Sequence, residues 1–137
     1  MSEVLSSLEK KREQLYQRLQ ETGDFRRGTI SVLYRKCGKK NCACAKEGHP
    51  GHGPRYLWNA TIGGKSYAKN LNFGPEMDKY LEETSNYKSF MMLCDEIIAI
   101  NEQICATRPV RVIEDPDDLA ALKKKLQQMF MAKYKKK

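Results

Sequence analysis

A chain of 137 residues with 40% hydrophobic and 9% aromatic content can bury one modest core and is too apolar to be wholly disordered. No apolar run approaches the roughly 18 residues of a membrane span. Residues 1–24 are charged and amphipathic without the apolar centre of a secretory leader, and five cysteines, an odd number, argue against a disulfide framework. The expectation is a cytoplasmic protein with reduced thiols.

The net charge of +8 is segregated along the chain. Residues 1–24 carry four basic and five acidic groups, and residues 25–72 carry ten basic groups against Glu47 alone. Residues 73–121 carry four basic and eleven acidic groups, and residues 122–137 carry seven lysines and no acid. A block of net +9 selects a polyanionic partner more clearly than the overall charge does.

In chain order, Ser2 is placed to cap a helix that runs to about Glu21 and stops before Gly23. Leu5, Leu8, Leu15 and Leu19 fall on a heptad seam with Arg12 as its odd member. After Gly28, alternation of Ile30, Val32 and Tyr34 with Thr29, Ser31, Leu33 and Arg35 predicts a strand. Tyr56, Trp58, Ala60 and Ile62 alternate again, and Gly63-Gly64 predicts a two-residue hairpin turn. The returning strand, 65–71, then sets Tyr67 opposite Ala60 and Lys69 opposite Trp58.

Pro75 opens a long helix expected over Glu76 to Cys105. Its predicted seam is Met77, Tyr80, Thr84, Tyr87, Met91, Cys94, Ile98, Asn101 and Cys105, flanked by Leu81, Ile97 and Ile104. Burial of Met91, Cys94 and Ile98 follows, with Asn101 setting register or oligomeric state. Arg108-Pro109 ends this helix. Asp115 then caps a last helix with Pro116 at its first position, an apolar side of Leu119, Leu122, Leu126, Met129 and Phe130, and frayed Lys135, Lys136 and Lys137.

The fold class predicted is α+β: a three-stranded, zinc-centred antiparallel sheet flanked by long amphipathic, coiled-coil-like helices. Four segments result: an N-terminal helix (1–24), a zinc-binding β module (25–72), a central helix (73–107), and a capped C-terminal helix with a basic tail (108–137).

The loop between the first two strands concentrates the chemistry. Cys37, Cys42, Cys44, His49 and His52 read C-x4-C-x-C-x4-H-x2-H. Thiolate sulfur and imidazole nitrogen are the donors Zn2+ prefers, and four of them close a structural tetrahedron. Five candidates compete for four positions, so one is a bystander. An iron–sulfur cluster asks for four thiolates where three are local. A catalytic zinc needs an open position and a placed base, and Glu47 is the only nearby carboxylate. A Cys/His nucleophile pair lacks an orienting acid and an oxyanion hole. The expectation is a non-enzymatic protein.

The run "RRGTISVLYRKCGKKNCACA…GHPGHGPRYLWNATIGGKSYAK" resembles a poorly characterised prokaryotic family of small Cys/His proteins. Its pattern is an RG(S/T)I strand, YRKCGKxNCxCA, GHGP followed by aromatics, and a GGK hairpin. The resemblance covers about residues 26–69 and implies Cys37, Cys42, Cys44 and His52 as ligands, with His49 outside the pattern.

Around these ligands stand Arg26, Arg27, Arg35, Lys36, Lys39, Lys40, Lys46, Arg55, Lys65 and Lys69. A folded metal loop would fix this charge as a phosphate-facing surface for DNA or RNA. Tyr34, Tyr56, Trp58 and Tyr67 share one parity, which favours a core face over a base-stacking platform. The function expected is a zinc-stabilised nucleic-acid-binding module with helical oligomerisation segments. The alternative is a protein-interaction adaptor whose zinc site is purely structural. A homo-dimer or a helical protein partner fits the helices.

Overall fold

A computed structural model describes residues 2–135, with side chains for 3–133. The predicted cap at Ser2 and the tail residues Lys136 and Lys137 fall on side chains or residues outside that range. The order is α1 (Ser2–Gln20), β1 (Thr29–Arg35), a short 3-10 turn (Ala43–Ala45), β2 (His52–Ile62), β3 (Lys65–Leu71), α2 (Pro75–Thr107) and α3 (Pro116–Lys135). Two compact units result, Met1–Cys105 and Ala106–Lys137. None of the described helices is long and apolar enough to cross a membrane.

In the first unit, the three strands form an antiparallel meander ordered β1-β2-β3. Gly63 and Gly64, with φ of 59° and 78°, make the turn that a two-residue hairpin requires. The register is the predicted one: Ala60 faces Tyr67 and Trp58 faces Lys69. The even-numbered face of β2 lies against α2. There Trp58 and Tyr80 meet edge-on at 5.9 Å, and Tyr56 meets Phe73 at 4.9 Å. Trp58 and Tyr56 therefore belong to the core face, whereas Tyr34 and Tyr67 remain nearly half exposed.

α1 runs antiparallel to α2. Arg12 donates to Asn101 Oδ1 at 3.0 Å, Asn101 donates to the Tyr16 hydroxyl at 3.3 Å, and Arg18 lies 3.8 Å from Glu96. All five seam positions of α1, Arg12 included, are half-buried. The polar residue in each predicted seam has thus found the other, an arrangement that fixes helix register.

The predicted seam of α2 needs correction. Tyr80, Thr84, Leu93, Ile100 and Ile104 are buried, while Met91 and Ile98 are 43% and 55% exposed and Cys105 is exposed. Ile98 lies five full turns after Tyr80 and so points the same way. The buried side changes because the first half of α2 packs on the sheet, through Tyr80 and Glu83, and the second half on α1, through Glu96 and Asn101.

Sheet and helix are joined by one charged contact. Arg26 donates through its backbone N to the Glu83 carbonyl at 3.1 Å and through Nε to Glu83 Oε1 at 2.9 Å. Its guanidinium lies 4.1 Å from the Tyr80 ring centre and 5.6 Å from that of Trp58. Lys79, one turn earlier on α2, also bonds Glu83. Lys69 reaches from β3 to Glu76 at 3.6 Å.

The second unit holds α3. Its start is as predicted: the Asp117 amide donates to Asp115 Oδ1 at 2.9 Å, and Pro116 is the first helical residue. Lys135, expected to fray, is the last residue of this helix.

This packing sets the expected cost of two kinds of substitution. Ile104→Ala, at a site 2% exposed, should cost about 2–4 kcal/mol in urea unfolding, while Ile98→Ala should stay within about 0.5 kcal/mol. Glu83 is held below the usual carboxylate range by the Lys79 hydrogen bond and then by Arg26, against the opposing effect of burial. A lowered carboxyl contributes stability that is present above its unfolded value of about 4.3 and lost as pH falls through its folded value. Glu83→Gln should therefore lower stability at pH 7 by about 1–3 kcal/mol and flatten the loss between pH 5 and more acidic solution. An unchanged acid limb would remove Glu83 from that role.

Candidate metal centre

The loop between β1 and β2 contributes almost no apolar core, so its shape must come from turns and from its own donors. Cys37 lies two residues beyond the end of β1, Cys42 precedes the 3-10 turn, Cys44 is its middle residue, and His52 opens β2. Successive backbone bonds fold the intervening chain: Cys42 N to Lys39 O, Ala45 N to Cys42 O, and Lys46 N to Ala43 O, at 3.0–3.3 Å.

A register shift aims the histidine. Leu33 pairs with Arg55 but Arg35 pairs with His52, so β2 carries one more residue than β1 across this step. Such a bulge tolerates Pro54, which cannot donate to the ladder, and brings His52 rather than Gly53 opposite Arg35. Gly51 makes the approach possible: a Cβ there would sit 2.6 Å from the Arg35 carbonyl carbon, at a φ of 107°.

The four side chains converge. Cys37 Sγ and Cys44 Sγ are 3.5 Å apart, Cys42 Sγ and His52 Nε2 are 3.1 Å apart, and all four donor atoms lie within 4.8 Å of one another. A disulfide needs sulfurs at about 2.05 Å, so this is not one. Donors at about 2.0–2.3 Å from a common centre are separated by about 3.3–3.8 Å in a tetrahedron. Cys37, Cys42, Cys44 and His52 are positioned to bind a metal ion, and the set is compatible with zinc.

The electrostatics favour thiolate at the outer position. Cys37 is drawn down to about 6 by the Lys39 amide and then by His52 and Cys44. At Cys44 the Cys37 amide, 3.4 Å from Sγ, pulls downward, but burial and the adjacent Cys42 and Cys37 thiols outweigh it and raise that thiol. Cys44 is fully buried, whereas Cys37 and His52 are exposed. The centre is a knuckle at the surface, at one end of the sheet rather than at its middle.

His49 is the bystander. Its Nδ1 accepts a hydrogen bond from the Gly51 amide at 3.0 Å, and it is not in the converging group. The basic residues divide as well. Arg26 and Lys69 are engaged with Glu83 and Glu76, whereas Arg27, Arg35, Lys36, Lys39, Lys40, Arg55 and Lys65 make no ion pair among the described residues. Motif and charge patterns alone miss Asn70, whose Oδ1 accepts from Arg55 Nη2 at 3.3 Å. The hairpin register holds that signal, because Leu57 opposite Asn70 sets Arg55 on the adjacent diagonal.

If these four donors hold the ion, the purified chain should carry about one zinc by elemental mass spectrometry. Cys37→Ser, Cys42→Ser, Cys44→Ser and His52→Ala should each lose it and loosen the loop, detected as faster amide exchange over residues 36–52. His49→Ala should keep the metal. Full zinc content after Cys44→Ser would refute the ligand set.

Residues 5–71, just under half of the chain, match the family model described as Domain of unknown function (DUF6788). No curated protein and no solved structure matches the chain. The matched stretch takes in α1, the knuckle and all three strands, and it is similar to a family whose function is itself undefined.

Proposed function

We propose that the protein is a non-enzymatic, zinc-stabilised nucleic-acid-binding module. One observation carries this reading. Of the ten basic groups in residues 25–72, only Arg26 and Lys69 are neutralised by a carboxylate among the described residues, and Arg35, Lys36, Lys39, Lys40 and Lys46 lie on or beside a loop whose backbone the metal would fix, while Arg27 and Lys65 stand at the other end of the sheet. A polyanion gains more from charges held on a rigid frame than from a floppy cationic tail, because less side-chain and backbone freedom is lost on binding. Zinc bound by Cys37, Cys42, Cys44 and His52 would be structural, since three thiolates and one imidazole would complete a tetrahedron and leave no position for substrate or water. The protein's place in the cell, on this reading, is the cytoplasm, where thiols stay reduced.

A second reading rests on the helices. α2 exposes Leu81, Met91, Met92 and Ile98, and α3 exposes Met129, Phe130 and Met131. Apolar side chains in such numbers suit a helical protein partner or a second copy of the chain. In that case the knuckle would be an adaptor's scaffold and the helices its working surface.

Replacing Arg35, Lys36, Lys39 and Lys40 by glutamine separates the two. The nucleic-acid reading expects weaker binding to duplex or single-stranded probes at retained zinc content. The slope of log affinity against log salt should flatten by about 0.7–0.9 for each phosphate that the variant no longer neutralises. Wild-type protein that ignores both DNA and RNA at low salt would hand the case to the adaptor, and a concentration-dependent mass in ultracentrifugation would then identify a self-partner.

A further inference from the structure

We infer that the outer edge of β1 is a dimer interface, where the strand pairs antiparallel with β1 of a second copy of this chain about a twofold axis through Val32. This surface is separate from the helix faces that expose apolar side chains.

The sheet has two edges, and they are unlike. β3 carries Lys65 and Lys69, charges of the kind that keep an edge from pairing with another strand. β1 reads TISVLYR, with no proline and no charge before its last residue, Arg35. Val32, Leu33 and Tyr34 are 52%, 46% and 49% exposed, which puts apolar surface on both faces of the strand. α2 closes the sheet over Trp58 and Lys69 but leaves Val32 and Tyr34 open. An apolar strand with open backbone groups is a template for one more strand.

The pairing pattern shows which groups are open. The two-residue turn at Gly63-Gly64 makes Ile62 and Lys65 a hydrogen-bonded pair, so the even residues of β2 turn to β3 and the odd ones to β1. Asn59, Leu57 and Arg55 therefore exchange bonds with Thr29, Ser31 and Leu33. Gly53 agrees, since a Cβ there would lie 2.7 Å from the Leu33 carbonyl oxygen, on the β2 side. The N–H and C=O groups of Ile30, Val32 and Tyr34 consequently point away from the sheet. Among the described residues no other strand, turn or loop bonds them through its backbone.

A second copy fits this edge because the strand is complementary to itself. With Val32 on the axis, the outward groups of Ile30, Val32 and Tyr34 meet those of Tyr34, Val32 and Ile30 in the other copy, and none is left over. On one face Val32 packs on Val32 and Ile30 on Tyr34, β-branched and aromatic pairs that suit a ladder, while Ser31 meets Leu33 on the other. Arg35 falls opposite Thr29 rather than opposite a second cation. An axis at Ser31 would set Arg35 against Arg27, and an axis at Leu33 would leave Ile30 facing Lys36 beyond the strand. The antiparallel arrangement also keeps the two Arg35 residues, and the knuckles beyond them, about 20 Å apart along the strands. That is more than the screening length of about 8–10 Å at ordinary ionic strength, so the two basic loops do not confront one another.

The test uses the zinc-loaded full chain. Ultracentrifugation should show the mass rising from one chain to two between about 10 μM and 1 mM, the range of a small interface. Over the same range, residue-resolved amide exchange should slow at Ile30, Val32 and Tyr34, while Ser31 and Leu33, bonded to β2, stay protected throughout. Val32→Lys sets two like charges face to face on the axis and should weaken dimerisation at least about tenfold. Val32→Pro removes only an outward N–H, which an edge strand tolerates, and should leave a monomer with full zinc content. Met91→Gln combined with Ile98→Gln on α2 should dimerise like the wild type. A single-chain mass at about 1 mM would overturn the inference. So would a dimer in which those three amides stay fast, or one that Val32→Lys leaves intact and the α2 substitutions dissolve, which would assign the contact to the helices.

Discussion

One buried carboxylate organises the first unit. Glu83 sits on α2 with 9% of its surface exposed, and it accepts hydrogen bonds from Lys79 on its own helix and from Arg26 in the segment that leads into β1. An unpaired charge at such a site would be costly, so the helix buries this position with Lys79 and Arg26 as its two cationic partners. Arg26 in turn lies over Tyr80 and near Trp58, which ties the first residues of the sheet module to the aromatic layer between β2 and α2. Through this joint the orientation of the sheet is set against α2, and with it which sheet face is closed and which is left to solvent.

The knuckle is stabilised on different terms. Among residues 36–52 the buried positions are Cys44 and Gly51, and neither brings an apolar side chain large enough to drive folding. Turns and backbone bonds give the loop its path, yet the neighbours that favour a Cys37 thiolate leave its charge opposing ionisation of the buried Cys44. A bound metal ion would relieve that conflict and supply the energy that a hydrophobic core supplies elsewhere. The small aromatic core and the metal would thus divide the work, one holding the sheet to the helix and the other holding the basic loop to the sheet.

How much of this was legible depends on whether a pattern is local. The Gly63-Gly64 turn dictates register over the following residues, so the pairing of Trp58 with Lys69 could be read from sequence alone. The Asp115-Pro116 start of α3 is equally local. The face of α2 was readable at Tyr80 and Thr84 but not at Met91 and Ile98, because the second half of the helix packs on α1 rather than on the sheet, a change of partner that no local pattern announces. β2 begins at His52 rather than near Tyr56, since a bulge at Gly53-Pro54 erases the alternation that marks a strand. Burial of Glu83 had no sequence signature, for its partner Arg26 is 57 residues away. At the metal centre, donor type and spacing picked out five candidates, the family resemblance set His49 aside, and the His49 bond to Gly51 shows why that ring is committed to shaping the loop.

Charge segregation links these parts to function. Seven of the eleven acids in residues 73–121 lie on α2, and those that meet the basic block do so at its inner edge, where Glu83 takes Arg26 and Glu76 takes Lys69. Both contacts lie on the side of the sheet that faces the helix. Had the acids been spread through the strands, each would have cancelled a neighbour across the ladder and left a neutral sheet. Concentrating them on α2 uses a few to fasten the sheet and leaves Arg35, Lys36, Lys39 and Lys40, beside the candidate metal site, without a carboxylate partner among the described residues.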